Sequence, residues 1–312
     1  MDSFFVAAKA VLPIFLLLLV GVFVRYRKML TETELIRVNG FVFKAFFPFL
    51  MFYNIYTSDL SANLDARLIA FAVCGVLAEY ALAVLVVCRI EKSSRSRGAM
   101  IQALYRSNYV LLGLPLVENI CGSGGLGAAA VISAVIVPLY NVLAVITLEV
   151  FRGGKVRPGR ILLQVVRNPL ILGALAGVLS LLLKIDYPDV LLDVAADLSG
   201  ASTPVALIIL GATFNFAALK KCGRNTVICT AGRLVVVPAL AMTAAALLGF
   251  RGDAFVILLV AFAAPCAVSS FTMAQQMDSD ADLAAGSVVL TSALSVVTIF
   301  LWIVLFRNLG MF

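Results

Sequence analysis

The sequence contains no histidine in 312 residues, so the commonest general base and the usual zinc and haem ligand are missing together. Charge is scarce too: Asp, Glu, Lys and Arg make up 13% of the chain, about half the share of a soluble domain. The six cysteines (Cys74, Cys88, Cys121, Cys222, Cys229 and Cys266) form no CxxC pair, and most sit in apolar runs where a thiol behaves as a small hydrophobe. A Walker GxxxxGK[ST] loop is also lacking. These absences strip enzymatic readings of most of their equipment, and no metal or cofactor is expected.

What fills the chain instead is apolar: 62% of the residues are hydrophobic and the mean hydropathy is +1.07. Long apolar stretches joined by short connections leave no room for a separate soluble domain, so the chain reads as one polytopic membrane unit. Its first apolar run, Val11 to Val24, has no small-residue cleavage site and is followed by Arg25, Arg27 and Lys28. That pattern fits a membrane helix and not a signal peptide.

A helix needs about 20 apolar residues to cross the hydrocarbon core. Ten spans are predicted: Phe5–Val24, Ile36–Tyr56, Ala66–Cys88, Gly98–Ile120, Leu126–Val150, Ile161–Leu183, Asp193–Phe216, Asn225–Gly249, Asp253–Met277 and Leu283–Phe306. The net charge of +7 arises from Lys and Arg at helix ends, which argues for a topology signal and against a nucleic-acid surface. Odd-numbered connections carry Arg25/Arg27/Lys28, Arg89/Lys92/Arg95/Arg97, Arg152/Lys155/Arg157/Arg160 and Lys220/Lys221/Arg224, whereas even ones hold single cations such as Arg67, Lys184 and Arg251. Retention of positive charge inside puts the odd connections in the cytoplasm and both termini outside, in the plasma or inner membrane. The acidic connection Asp278 to Asp282 does not contribute to that assignment.

Prolines point to a duplication. Pro13 and Pro169 are separated by 156 residues, as are Pro48 and Pro204, and 156 is half the chain length. Pro115 and Pro265, 150 apart, are read as a further pair, with the basic connection before the fourth span absorbing the difference. The expected organisation is a first five-helix repeat over 1–151, a cytoplasmic linker over 152–160 and a second repeat over 161–312. Five spans per copy reverse the second copy in the membrane, giving an all-α fold of two inverted repeats. Proline in a membrane helix frees backbone groups that protein or trapped water must satisfy, so spans four and nine are read as broken near Pro115 and Pro265. Half-helix N-termini at such breaks suit an anionic group.

The chain resembles the auxin efflux carrier family of prokaryotic permeases, relatives of the plant PIN-FORMED carriers. The resemblance rests on Leu12-Pro-Ile-Phe15 with Gly21, Phe47-Pro-Phe-Leu50, Asn108 through Gly113-Leu-Pro-Leu116, Pro204 through Gly211-Ala-Thr213, and Pro265 through Ser270-Phe271. It extends over all ten spans, with Asn-x5-Leu-Pro its most specific segment. It implies a scaffold and a moving transport portion, a site where spans four and nine cross, and organic anions such as dicarboxylates or indole acids as substrates. Asn108, Tyr109, Gly113, Pro115, Pro265, Cys266, Ser269 and Ser270 are the expected substrate-binding residues. Ser269 departs from the asparagine that the family pattern leads to there.

Among ionisable residues within spans, Glu79 is the candidate for proton or cation coupling, and Arg106 is read either as balancing a substrate carboxylate or as pairing with an acid of another helix. Lys44 and Arg233 are read equally as site residues or as side chains reaching an interface, and Glu118 as interfacial. The expected partners are a small organic anion and the bilayer; no nucleic acid is expected, and a homodimer is compatible with the sequence. Three readings compete with an exporter: a sodium- or proton-coupled uptake symporter of the bile-acid carrier type, a membrane-embedded transferase and a non-transporting receptor. Three short matches carry nothing. Gly122-Ser-Gly-Gly-Leu-Gly127 follows a helix and reads as a flexible loop, Asp278 to Asp282 lacks the glycine and bidentate glutamate of a calcium loop, and Arg251-Gly-Asp253 is a chance match.

Overall fold

The computed structural model describes residues 2–57, 65–152, 158–214 and 223–312, and all the regular structure among them is helical. Six helices are long and apolar enough to cross a membrane: α2 (Glu32–Tyr56), α3 (Ala66–Ile90), α6 (Gly125–Phe151), α9 (Asp189–Thr213), α10 (Gly223–Leu247) and α13 (Ala281–Asn308). Others have shorter apolar stretches: α1 (Asp2–Tyr26), in which it is Leu12–Tyr26, α5 (Tyr109–Gly122), α8 (Pro169–Leu182) and α11 (Gly252–Ala263). Three further helices complete the described residues: α4 (Ser94–Tyr105), α7 (Pro158–Val166) and α12 (Ser269–Gln276). Leucines such as Leu16, Leu19, Leu179 and Leu247 face outward, as an apolar solvent requires. The chain is an integral membrane protein.

Local chemistry explains the helix ends. Thr31 and Glu34 form a reciprocal capping box at the start of α2, Asp65 caps α3 through the amides of Arg67 and Leu68, and Asp280 caps α13 through that of Leu283. The predicted continuous sixth span is interrupted: Asn168 accepts from the Leu170 amide and Pro169 opens a new helix, α8. Asparagine followed by proline is an N-cap and first-turn pair, and here it outweighs the apolar run around it. The glycine-rich segment read as a loop is instead a sharp junction between α5 and α6. Gly122 has φ +71° and ψ −165°, a conformation available essentially to glycine alone.

Three prolines inside spans are absorbed in one way. Pro48, Pro115 and Pro238 each follow a five-residue π-helical turn, respectively Val42–Phe46, Tyr109–Gly113 and Gly232–Val236. A proline cannot donate to the carbonyl four residues before it and its ring crowds that carbonyl, and the wider turn relieves the clash. In α10 the carbonyl so freed belongs to Leu234, and it accepts a 2.9 Å hydrogen bond from the indole of Trp302, the only tryptophan in the chain.

Two close helix contacts recur with the proline spacing. An added Cβ on Gly21 of α1 would stand 2.0 Å from the Ile208 carbonyl of α9, and one on Gly177 of α8 would stand 2.9 Å from the Phe52 carbonyl of α2. Gly21 and Gly177 lie 156 residues apart, and so do Phe52 and Ile208. Helix α1 therefore packs on α9 as α8 packs on α2, at a separation only glycine permits.

The acidic connection before α13 meets the basic ones. Asp278 pairs with Arg152 at 2.6 Å, Ser96 donates to Asp280 at 2.8 Å, and the Ser279 hydroxyl donates to the Arg95 carbonyl at 2.7 Å. It thus shares a face with the second and third odd-numbered connections, and its Asp278 and Asp280 carboxylates are taken up by ion pairing and capping. Lys155, Arg157, Lys220, Lys221 and Cys222 lie outside the described residues.

Candidate functional site

Spans four and nine are both interrupted, and the interruptions cross. Helix α4 stops at Tyr105, Arg106 to Asn108 run extended or irregular, and α5 begins at Tyr109; α11 stops at Ala263 and α12 begins at Ser269. The two non-helical segments pair antiparallel: the Asn108 amide donates to the Pro265 carbonyl at 2.8 Å, and the Ala267 amide donates to the Arg106 carbonyl at 3.2 Å. These bonds satisfy main-chain groups that hydrocarbon would leave bare. The break in the fourth span is therefore not at Pro115, which lies within helix behind its π turn. Pro265 lies in the ninth-span break itself, bridged beside Cys266 to Ser107, whereas Pro115 lies in helix seven residues beyond Asn108.

Against this crossing lies a cavity of about 300 Å³, walled by α2 (Phe47 to Asn54), the fourth-span break and start of α5 (Arg106 to Leu111), α6 (Val137, Tyr140, Asn141), α9 (Ser199 to Ala206) and the ninth-span break (Ala267 to Ser269). Arg106, Asn108, Tyr109 and Ser269, expected from the sequence, line it. Pro265, Cys266 and Ser270 are buried behind the wall: Pro265 holds the bridge, and the Cys266 amide donates to Thr291 at 3.1 Å. Gly113 packs on α11, where an added Cβ would meet Val260 at 2.9 Å, and Pro115 faces outward.

Among the described residues Arg106 is the only charged one in the cavity wall, and it is 3% exposed. It donates to Gln102 Oε1 at 3.2 Å, to Met273 Sδ at 2.9 Å, and to Asn141 Oδ1. All three acceptors are neutral, and among the described residues no carboxylate lies within ion-pair distance of it. Asn108 Nδ2 and the Tyr109 hydroxyl, both buried, have no hydrogen-bond partner among the described residues. The first turns of α5 and α12 also border the cavity and add the positive ends of two helix dipoles. A buried unbalanced cation, an amide donor turned to the cavity and two helix N-termini are the kind of groups that an anion could be held by.

Glu79 lies elsewhere. It lines a separate, mostly apolar cleft of about 690 Å³ between α3 and α10, and its carboxylate stands 3.7 Å from Arg233. Arg233 is fully buried, which overturns the interfacial alternative for it; Lys44 and Glu118 are exposed. Among the described residues no cluster of Cys, Asp and Glu could hold a metal ion.

Residues 6–303 match a membrane transport protein family, Mem_trans. The chain belongs to this family, that of the auxin efflux carriers. The carrier is 27% identical over 298 residues to an uncharacterized transporter of Methanothermobacter thermautotrophicus, covering 95% of this chain and 97% of the relative. It is 27% identical over 308 residues to an uncharacterized transporter of Methanocaldococcus jannaschii, covering 94% and 96%. The carrier is thus a membrane transporter. Sequence reasoning missed Asn141 and Gln102, which hold Arg106. Asn141 lies 35 residues from Arg106 and on another helix, so no spacing marks it.

Proposed function

We propose that the carrier exports a small organic anion, a mono- or dicarboxylate, by alternating access. The observation that carries this reading is the Arg106 guanidinium, buried in the cavity wall with neutral acceptors alone. A fixed, desolvated cation is a standing penalty that a carboxylate would relieve. Asn108 supplies a second donor, and Tyr109 and Ser269 frame the two helix starts.

The fold we infer is ten spans in two inverted repeats, with the odd-numbered connections in the cytoplasm and both termini outside. The recurrence of the Gly21 and Gly177 contacts at the proline spacing supports the duplication. In this reading α1, α2, α8 and α9 form the scaffold, and the crossing helices with their neighbours move against it. With a negative cell interior each exported negative charge gains about 2.3 kcal/mol per 100 mV, so efflux needs neither ATP nor a coupling ion.

The test is a thermal-shift screen of mono- and dicarboxylates on the purified carrier, followed by counterflow of the best ligand in proteoliposomes. Stabilisation by a carboxylate and saturable counterflow are expected. A carrier that ignores every carboxylate but binds organic cations would refute the proposal.

A further inference from the structure

Arg233 sits in a place where side chains rarely go. It lies in the π turn of α10, and Gly232 before it lets α10 approach α4 so closely that an added Cβ would meet Leu104 at 2.4 Å. From there the guanidinium reaches the ends of both interrupted helices. Nε donates to the Ala264 carbonyl at 2.8 Å, Nη2 to the Ala261 carbonyl at 3.2 Å, and Nη1 to the carbonyls of Leu104 and Tyr105 at 3.1 and 3.2 Å. The Glu79 carboxylate stands 3.7 Å from Nη1.

Four main-chain oxygens at two helix C-termini, plus one carboxylate, make a strongly electronegative cage. Helix C-termini carry partial negative charge, and unwound carbonyls at broken membrane helices are the usual ligands of a coupling cation. Around Nη1 alone, two carbonyls and the Glu79 carboxylate converge on one point. Those are the hard oxygen donors a sodium ion takes.

We propose that this cage is a cation site whose resident is the chain's own Arg233, a tethered charge standing where a free sodium ion would otherwise sit. The guanidinium holds the crossing together permanently and makes it indifferent to sodium. The inference extends the carrier reading, since it names what replaces the coupling ion, but it concerns a different cavity from the anion seat. Arg233 is a positioning residue: it touches the ends of α4 and α11 and acts on Arg106 and Asn108 through them.

The experiment measures ²²Na⁺ binding to the purified full-length carrier by scintillation proximity, with melting temperatures in sodium chloride and choline chloride beside it. No organic anion is added, so the result stands whether or not a carboxylate is carried. Wild type and Arg233→Lys, which keeps the charge, are expected to bind no sodium saturably and to melt alike in both salts. Arg233→Ala is expected to melt lower in choline chloride, to bind sodium saturably, and to recover about 3 °C in sodium chloride. Adding Glu79→Gln to Arg233→Ala should abolish that binding. Saturable sodium binding by wild type overturns the proposal, as does a folded Arg233→Ala that binds none. Should Arg233→Ala not fold, Arg233→Lys decides: sodium sensitivity in that variant refutes a role carried by charge.

Discussion

Replacing Arg106 by glutamine separates the two things this side chain is proposed to do. In the empty carrier its charge is buried beside Gln102, Met273 and Asn141, all neutral, so removing it relieves a desolvation penalty. The lost bonds leave Gln102 Oε1 and Asn141 Oδ1 to the new glutamine amide, which can donate to them without a charge, while Asn141 Nδ2 keeps its bond to the Val137 carbonyl at 2.8 Å. Arg106→Gln should therefore melt at or above wild type without ligand. With a carboxylate bound, the variant lacks one charge-assisted hydrogen bond, about 1.5–3 kcal/mol, which is roughly 10- to 150-fold in affinity. The bare Coulomb attraction at 4 Å and an effective dielectric constant of 20 is about 4 kcal/mol, an upper bound that desolvation of the carboxylate reduces. Asn108→Ala removes a neutral donor, about 0.5–1.5 kcal/mol, and should weaken binding only about 2- to 12-fold. Titration of the best carboxylate by thermal shift gives both numbers. If Arg106→Gln binds as tightly as wild type, or if Asn108→Ala weakens binding more than Arg106→Gln does, the anion seat has been assigned to the wrong group.

Other predictions test the frame around the site. Trp302→Phe leaves the Leu234 carbonyl without its indole donor and should destabilise by about 1–3 kcal/mol; with Pro238→Ala, which restores a main-chain donor, the loss should shrink, as a double-mutant cycle by circular dichroism melting would reveal. Gly21→Ala and Gly177→Ala drive a methyl group into a facing carbonyl and should each cost about 1–3 kcal/mol, whereas Gly127→Ala, with nothing within 4 Å, should be neutral or stabilising; equal melting of all three would contradict the packing. Glu91, just beyond α3, accepts from the Ser93 amide and from Asn225, which hold its carboxyl below the usual range. A lowered native pKa contributes stability above the ordinary carboxylate value and loses it as pH falls through the native one. The melting difference between wild type and Glu91→Gln should therefore be present at about pH 7 and vanish in acid below the carboxylate range; a difference that persists there would deny the linkage.

Much of this architecture is legible in the residues. Apolar length marks the long helices to within a few positions, because a membrane span has one solution, and Thr31, Asp65 and Asp280 stand as caps where the helices start. The Asn168-Pro169 break was written there too, yet the leucines around it mask the cap. The fourth-span break was not legible from its proline. Pro115 is the obvious breaker, but the π turn Tyr109–Gly113 absorbs it, and the chain opens instead at Arg106 to Asn108, where a second segment 159 residues away supplies the missing hydrogen bonds. Arg233 shows the same limit. Its type announces a buried charge, but its partners are main-chain oxygens of Leu104, Tyr105, Ala261 and Ala264, and a carbonyl leaves no mark in a sequence.

The cavity also has a direction, and it bears on the proposed mechanism. The wall residues of α2 run from Phe47 to Asn54, in the half of that helix remote from the basic connection that precedes it. Toward that connection the walls converge: the Asn39 amide donates to Gln275 at 2.6 Å, and Gln276 donates to the Ile36 carbonyl at 3.4 Å. Asn39 is eight residues from Phe47, about 12 Å along a helix, and Gln275 is six from Ser269, about 9 Å, so the seal lies well to one side of Arg106. That is the side of the odd-numbered connections, where Asp278 meets Arg152. In the proposed orientation this contact stands between the cavity and the cytoplasm, on the path an exported anion would enter by. The seal is two hydrogen bonds from side-chain amides, a neutral contact that a few kcal/mol of differential binding can make or break. The charge of Arg233 is fully buried in its cage, and so suits a part that moves as a unit while the amide contact opens.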